Sequence, residues 1–286
     1  MILVTGVTGH LGKAVLRDLL QRTDAGNVAA LARNPSKVEG LHVAVRQADY
    51  NDPASLVHAF RGVDTLYFVS GNDVQRRLEQ HGNVVNAAKE AGVGHIVYTS
   101  FQRKDESGRS PIADVAGGHL KTEAAIRASG VPFTFLLHNL YLDFIPFFIG
   151  KDVPDTGVVY QPAGNGKTAF ASRNDLAEAA ANILLSAGHE GKSYNFSNTS
   201  AWSYGDIAEI IGGIVGKKIA YVSPAPQEFL ATLQQQGVSA EAADGALAWA
   251  LAIRAGEFDT PGQDLERILG RSPMQPHELL AKVYGK

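Results

Sequence analysis

Nine residues near the amino end, Val4-Thr5-Gly6-Val7-Thr8-Gly9-His10-Leu11-Gly12, constrain this chain more than any other feature. They follow the apolar run Ile2-Leu3-Val4. They lead into a stretch with apolar residues at Leu11, Val15, Leu16, Leu19 and Leu20, the spacing of one helix face. Glycines placed between a strand and a helix are the context of a dinucleotide-binding turn. One allows the tight turn, one lets backbone approach a pyrophosphate, and one lets the helix pack on the sheet. The spacing here is G-x-x-G-x-x-G rather than G-x-G-x-x-G. Backbone amides around Gly6, Thr8, Gly9, His10, Leu11 and Gly12 would then meet the phosphates, helped by the helix dipole. At His10 the backbone N–H counts for more than the ring.

The rest of the chain repeats this alternation. Short apolar runs at Asn27–Ala32, Val43–Ala48, Thr65–Val69, His95–Thr99, Phe133–Leu137 and Ser193–Phe196 read as strands. Between them, Pro53–Phe60, Val74–Ala91, Lys121–Ala128 and Asp175–Leu185 read as helices, the last opened by Ser172-Arg173-Asn174. Such alternation implies βαβ crossovers, and continuous apolar strands imply a parallel sheet covered on both faces. The expected fold is α/β, a Rossmann-like doubly wound parallel sheet. After Ser200 the pattern turns mostly helical, with Tyr204–Val215, Pro226–Gln236, Ala240–Ala255 and Gln263–Leu269. A nucleotide-binding domain over 1–199, with a substrate-wall insertion near 139–170, is therefore expected to carry a smaller helical lobe over 200–286. That lobe should sit beside the carboxyl edge of the sheet, where open α/β folds bind ligands.

The end of the second strand selects the dinucleotide. NAD sites place a carboxylate there for the ribose hydroxyls, whereas this chain reads Ala32-Arg33-Asn34-Pro35-Ser36-Lys37. Arg33 can clamp an adenosine 2'-phosphate and Lys37 can add a second cation, with Asn34 between them, so NADP(H) is expected over NAD(H). Asp49 and Tyr50, closing the third strand, are placed for the adenine end. Ser70-Gly71 and Ser100, closing the fourth and fifth strands, are placed for the nicotinamide-side ribose.

Composition removes other classes. The chain has no cysteine, which excludes thiolate metal sites and cysteine nucleophiles, and neither H-E-x-x-H nor clustered His/Asp spacing occurs, so no metal is expected. With 26 Lys plus Arg against 29 Asp plus Glu and no basic run, no nucleic-acid partner is expected. Val131–Gly150 is the longest apolar run, but His138, Asn139, Asp143 and Pro146 interrupt it, so a membrane span is not expected either. A cytoplasmic protein acting on a small molecule is the reading, with oligomeric state open. The G-x-S-x-G elbow of α/β-hydrolases is absent.

Several segments together resemble the NmrA-like branch of atypical short-chain dehydrogenases/reductases. They are T-G-x-T-G-x-x-G, the Arg-Asn-Pro at Arg33, Arg46-Gln47-Ala48-Asp49-Tyr50, Asn83–Gly92 leading into His95–Ser100, and Ser172-Arg173-Asn174-Asp175-Leu176-Ala177. The resemblance is specific through about residue 180 and looser after Ser200. Within the branch it is nearest to bacterial NADPH:quinone oxidoreductases and triphenylmethane dye reductases. It implies a Rossmann domain holding NADPH and a C-terminal domain forming a cleft over the nicotinamide. The branch also includes regulators that sense NADP(H) without turning it over, which is the alternative reading.

The departures are informative. Ordinary short-chain dehydrogenases use Tyr-x-x-x-Lys, with the phenol as general acid. Here the residue four before Lys121 is Gly117, so that phenol is missing, which also disfavours a sugar-nucleotide epimerase. Related reductases have Arg-Asn after the sixth strand, where this chain has His138-Asn139. A simple ketone becomes a strongly basic alkoxide on hydride delivery and needs a proton donor, whereas a quinone or delocalised dye needs mainly binding and orientation. A planar acceptor is therefore expected. Candidates for its walls are Phe101 and Gln102 after the fifth strand, and His138, Asn139, Tyr141, Phe144, Phe147 and Phe148 after the sixth. Lys121 is a candidate to steady the ribose or an anionic product. His119, two residues earlier, should lie on a different helix face and outside that constellation.

Overall fold

The computed structural model describes residues 1–38 and 40–285. In chain order its elements begin with β1 (Ile2–Val4), α1 (His10–Arg22), β2 (Val28–Ala32), β3 (Ala44–Gln47), α2 (Pro53–Phe60), β4 (Thr65–Phe68) and α3 (Arg77–Glu90). They continue with β5 (His95–Phe101), α4 (Ala113–Ser129), β6 (Phe133–His138), α5 (Ile145–Ile149), α6 (Val153–Thr156), β7 (Val158–Tyr160), β8 (Lys167–Thr168), α7 (Arg173–Leu184) and β9 (Lys192–Phe196). Last come β10 (Trp202–Ser203), α8 (Tyr204–Val215), β11 (Ala220–Val222), α9 (Pro226–Gln235), α10 (Ala240–Arg254), α11 (Asp264–Leu269) and α12 (Pro276–Tyr284).

Seven strands form one sheet in the order β3-β2-β1-β4-β5-β6-β9, and every pairing is parallel. Alternate residues along a strand face opposite sides, and the packing follows that period. Val4, Ala30, Tyr67, Val97 and Leu136 join one core with α1, α7 and α11. Leu3, Leu31, Leu66, Phe68, Tyr98 and Phe135 join the other with α2, α3 and α4. Burial on both faces is why the strands read as unbroken apolar runs. β1 pairs with β2 on one side and β4 on the other, so the connections leave it in opposite directions. Carboxyl ends of strands at such a reversal leave a crevice for ligand.

A third core lies beyond the sheet. Leu140, Leu142, Ile145, Val153 and Val159 from the 139–170 segment pack with Tyr204, Ile207, Ile211, Ile253 and Leu280 of the later helices and with Phe258 of the turn after α10. Two small sheets stitch this lobe together, β7 with β11 in parallel and β8 with β10 antiparallel. α11 instead returns to pack on α7, through Leu265 and Leu269.

Local chemistry sets the boundaries. Asp52 accepts from Ser55 N and Pro53 takes the first turn, starting α2 where the sequence predicts. A capping box between Ser203 and Asp206 does the same for α8. Three expectations change. α3 begins at Arg77 rather than Val74, which stays exposed and gains nothing from the helix. α4 begins at Ala113 rather than Lys121, because Ala116 and His119 supply buried contacts in a glycine-containing stretch without apolar periodicity. α12 was not foreseen; Pro276 opens it and Leu280 and Tyr284 bury it. Among the described residues, no helix is long and apolar enough to cross a membrane.

Candidate functional site

The glycine turn is built as tightly as backbone allows. Gly6 has φ +65°, which an L side chain rarely adopts, and a Cβ there would stand 2.8 Å from Val69 Cβ. A Cβ on Gly12 would stand 2.5 Å from the Gly6 carbonyl oxygen, so α1 can reach this close to the turn only with glycine. Gly9 is the N-cap of α1 and no side chain caps it. The first-turn amides therefore remain open to an anion in the crevice.

The neighbouring strand ends brace that turn. Thr5 Oγ1 accepts from Val69 N at 2.9 Å and from the Tyr50 hydroxyl at 2.7 Å, tying β1, β3 and β4 together where the cradle begins. Burial pushes the Tyr50 phenol well up, so it stays a neutral brace. Gly71 is gripped from α3: its amide donates to His81 Nε2 at 3.0 Å, and its carbonyl accepts from Arg77 Nε at 3.2 Å. With Nε2 an acceptor, His81 Nδ1 carries the proton and donates to Thr122 Oγ1 at 2.9 Å. Burial and the Arg77 charge hold the His81 ring down to about 3. Arg77 itself is buried, and its Nη1 has no partner among the described residues.

A single cavity of about 2100 Å³ runs along this edge. Gly6, Thr8, Gly9, His10, Leu11, Gly12, Arg33, Asp49, Tyr50, Ser70, Gly71 and Ser100 line one part. Phe101, His138, Asn139, Tyr141, Phe144, Phe147 and Phe148 line another. The fold thus brings most of the candidate residues onto one continuous surface.

Four candidates are not brought to it. Asn34 Oδ1 is occupied by Ser36, accepting from N at 3.1 Å and from Oγ at 2.8 Å, and Lys37 lies exposed beyond it. Gln102 is buried behind the wall, where its Oε1 accepts from Asn139 Nδ2 at 2.8 Å and its Nε2 donates to the Thr260 carbonyl. Lys121 is exposed on the outer face of α4, away from the cavity. His119, on the same helix, lines the cavity instead.

Asn139 and His138 are tied inward as well. Asn139 is 1% exposed; its amide reaches Gln102 and Thr260 Oγ1, and its Oδ1 accepts from Leu140 N. It therefore fastens β6 to the 258–260 segment of the lobe. His138 stacks on Phe196 at 5.9 Å and contacts the Tyr141 hydroxyl through Nδ1 at 3.3 Å. Its Nε2 is buried without a partner among the described residues, and burial holds the ring down to about 3.

Near Ser100 lies a buried charge cluster that the sequence reading missed. Arg103 meets Glu123 with two nitrogens, at 2.8 and 3.0 Å, and the Ser100 hydroxyl donates to the same carboxylate. Both side chains are nearly enclosed, at 5% and 8% exposure.

The far part of the cavity is aromatic. Tyr141, Phe144, Phe148 and Phe147 contact one another in series at 5.4, 6.2 and 5.8 Å, with Arg173 over Phe144 at 5.1 Å. Phe147 is 82% exposed. The lobe supplies the facing wall with Tyr160, Phe229 and Trp249, and Trp249 lies edge-on to Phe101 at 5.9 Å. These three lie in sequence that shows only helix or short-strand patterning, with no local signal marking them as lining. Asp152 and Arg173 both line this cavity. Among the described residues no three His, Asp or Glu side chains cluster as metal ligands would.

The NmrA-like family model matches residues 1–247. The chain is a member of the NmrA-like family. This NmrA-like protein is 38% identical over 247 residues to quinone oxidoreductase 2 of Escherichia coli K12, with 85% of each chain covered. Its fold is similar to that of Citrobacter sp. triphenylmethane reductase complexed with NADP(H), at TM-score 0.91 and 36% identity, over 99% of this chain and 100% of that one. It is equally similar to the NADPH complex of an Escherichia coli NADPH-dependent quinone oxidoreductase, at TM-score 0.91 and 34% identity, over the whole of both chains.

Proposed function

We propose that this NmrA-like protein is an NADPH-dependent oxidoreductase that reduces quinone-like or similarly delocalised aromatic acceptors. The observation that carries the reading is the continuity of the cavity: the glycine cradle and the aromatic walls belong to one space of about 2100 Å³. A coenzyme in the cradle and a planar acceptor against the aromatics would therefore share a surface.

The residues fit the coenzyme. The close approach of Gly12 to Gly6 and the uncapped amides of α1 suit a pyrophosphate. Arg33, exposed beside Asp49 on the cavity wall, is the cation for a 2'-phosphate, and no carboxylate sits at the end of β2 to favour the unphosphorylated ribose. Asp49 and Tyr50 take the adenine end, and Ser70, Gly71 and Ser100 the nicotinamide side. When bound, NADPH supplies the hydride. Phe101, Tyr141, Phe144, Phe147 and Phe148 with Trp249 hold the acceptor, while Asn139 and Gln102 set the angle of that wall.

We read 1–199 as the nucleotide-binding domain, 139–170 as its substrate-wall insertion and 200–286 as the lobe that closes the cleft, in a cytoplasmic setting. The lobe leaves the cleft open, which favours turnover over the sensing alternative. Steady oxidation of NADPH with menadione or benzoquinone is the test. NADPH binding without oxidation across a panel of quinones and triphenylmethane dyes would favour the sensor.

A further inference from the structure

We propose that His119 is a catalytic residue of this reaction, donating from Nε2–H the hydrogen bond that holds the acceptor's oxygen as it gains negative charge. The inference rests on the reductase reading and supplies the polar contact that reading lacks.

Tyr-x-x-x-Lys places two side chains four apart on one face of a helix. In register with Lys121 the first position is Gly117, and Lys121 points outward. The inward face of α4 is set two residues later. It carries His119 and Glu123, with the same separation, both buried. Glu123 is committed to Arg103 and to the Ser100 hydroxyl at the end of β5. His119 is the member that reaches the cavity, where it is 6% exposed.

The ring is oriented from behind. Tyr98 hydroxyl and His119 Nδ1 lie 2.8 Å apart. With the phenol as donor and Nδ1 as its acceptor, the ring proton sits on Nε2 at the opposite edge. No protein atom among the described residues bonds that nitrogen. Phe101 lies nearly parallel to the imidazole at 5.7 Å and 25°, and its edge meets Trp249. His119 thus stands between the strand ends that face the nicotinamide side and the aromatic wall that faces the acceptor.

Burial and the nearby Arg77 charge keep the imidazole below its ordinary range, so it is neutral at physiological pH. A neutral imidazole is a poor acid but a good hydrogen-bond donor to a forming oxyanion. As the acceptor gains the two electrons of the hydride, a carbonyl π pair moves onto its oxygen. That oxygen accepts from Nε2–H and takes its proton from water, so the ring ends the step as it began. The coenzyme is oxidised by two electrons and the acceptor is reduced by two.

His119→Phe and His119→Gln separate this role from packing, since glutamine restores an N–H donor. We expect His119→Phe to lower kcat with menadione about 10- to 100-fold, below the loss seen for an oxyanion-hole donor because a hydroquinone anion is already delocalised. NADPH affinity by fluorescence titration should stay within about twofold, and His119→Gln should recover part of kcat. Unchanged kcat, or a parallel loss of NADPH affinity, overturns the assignment. Nitrogen-15 spectra of the imidazole give a readout independent of turnover. A neutral ring with the proton on Nε2 is expected, and the Nδ1–H or charged form contradicts the proposal. Wild-type protein that shows the expected ring but oxidises no NADPH would sink the reductase reading instead.

Discussion

Gly12 lies so close to Gly6 that a single methyl group on it would reach within 2.5 Å of the Gly6 carbonyl oxygen. The first turn of α1 is therefore pressed against the strand-to-helix turn, and the amides that would receive a pyrophosphate are fixed by backbone contact alone. Gly12→Ala must push α1 outward. We expect NADPH affinity by fluorescence titration to fall at least about tenfold, as lost charge-assisted amide bonds imply. The thermal midpoint should fall by a few degrees.

Glu123 neutralises a guanidinium that has little water around it. Exposed Glu106 also meets this guanidinium, at Nε and 2.9 Å, so losing Glu123 leaves the charge partly compensated and costs less than the about 3–5 kcal/mol of a fully uncompensated one, whereas replacing both Arg103 and Glu123 by apolar groups is often near neutral. Glu123→Gln should therefore be less stable in urea melts than the double variant Arg103→Met with Glu123→Leu. Equal stability of the two would contradict the account.

His81 and His138 are both held down to about 3 from an ordinary 6.5. A base that protonates less readily when folded makes the unfolded chain the better proton acceptor. Stability from these two rings is complete above pH 6.5 and is lost as pH falls toward 3. The thermal midpoint should be lower at pH 5 than at pH 7.5. His138→Phe, which keeps the stacking on Phe196, should flatten that slope.

Trp249 is one of the two tryptophans and lines the aromatic part of the cavity, where we place the acceptor. Aromatic pairing beyond area burial is worth about 0.5–1.5 kcal/mol. Trp249→Ala should raise the KM for menadione about 2- to 13-fold and leave NADPH affinity unchanged. Menadione should also quench the tryptophan emission of wild type more than that of the variant.

The nucleotide half of the molecule was readable because its signals are local. The turn at Gly6–Gly12, the Asp52-Pro53 start of α2 and the alternation of apolar runs each need only a few adjacent residues. The acceptor half depends on contacts over long separations. Trp249 meets Phe101, and Tyr160 and Phe229 join the cavity wall, only after the lobe folds back. α4 shows the limit most clearly. Reading its start at Lys121 put the wrong residue forward, because Ala113–Gly118 has no apolar period and the helix is set by burial of Ala116 and His119. The i, i+4 pair His119 and Glu123 was present in the sequence, but nothing local distinguished it from a surface pair.

We propose that the Arg33 guanidinium, on the rim of the cradle, selects the phosphorylated coenzyme. The most direct test is a paired fluorescence titration of wild type and Arg33→Glu with NADPH and NADH. A lost charge-assisted contact of about 1.5–3 kcal/mol corresponds to roughly 13- to 160-fold. Wild type should bind NADPH more tightly than NADH by such a factor. Arg33→Glu should lose that factor for NADPH and keep its NADH affinity. Equal affinity of wild type for the two coenzymes, or NADPH binding that ignores the substitution, would contradict the account.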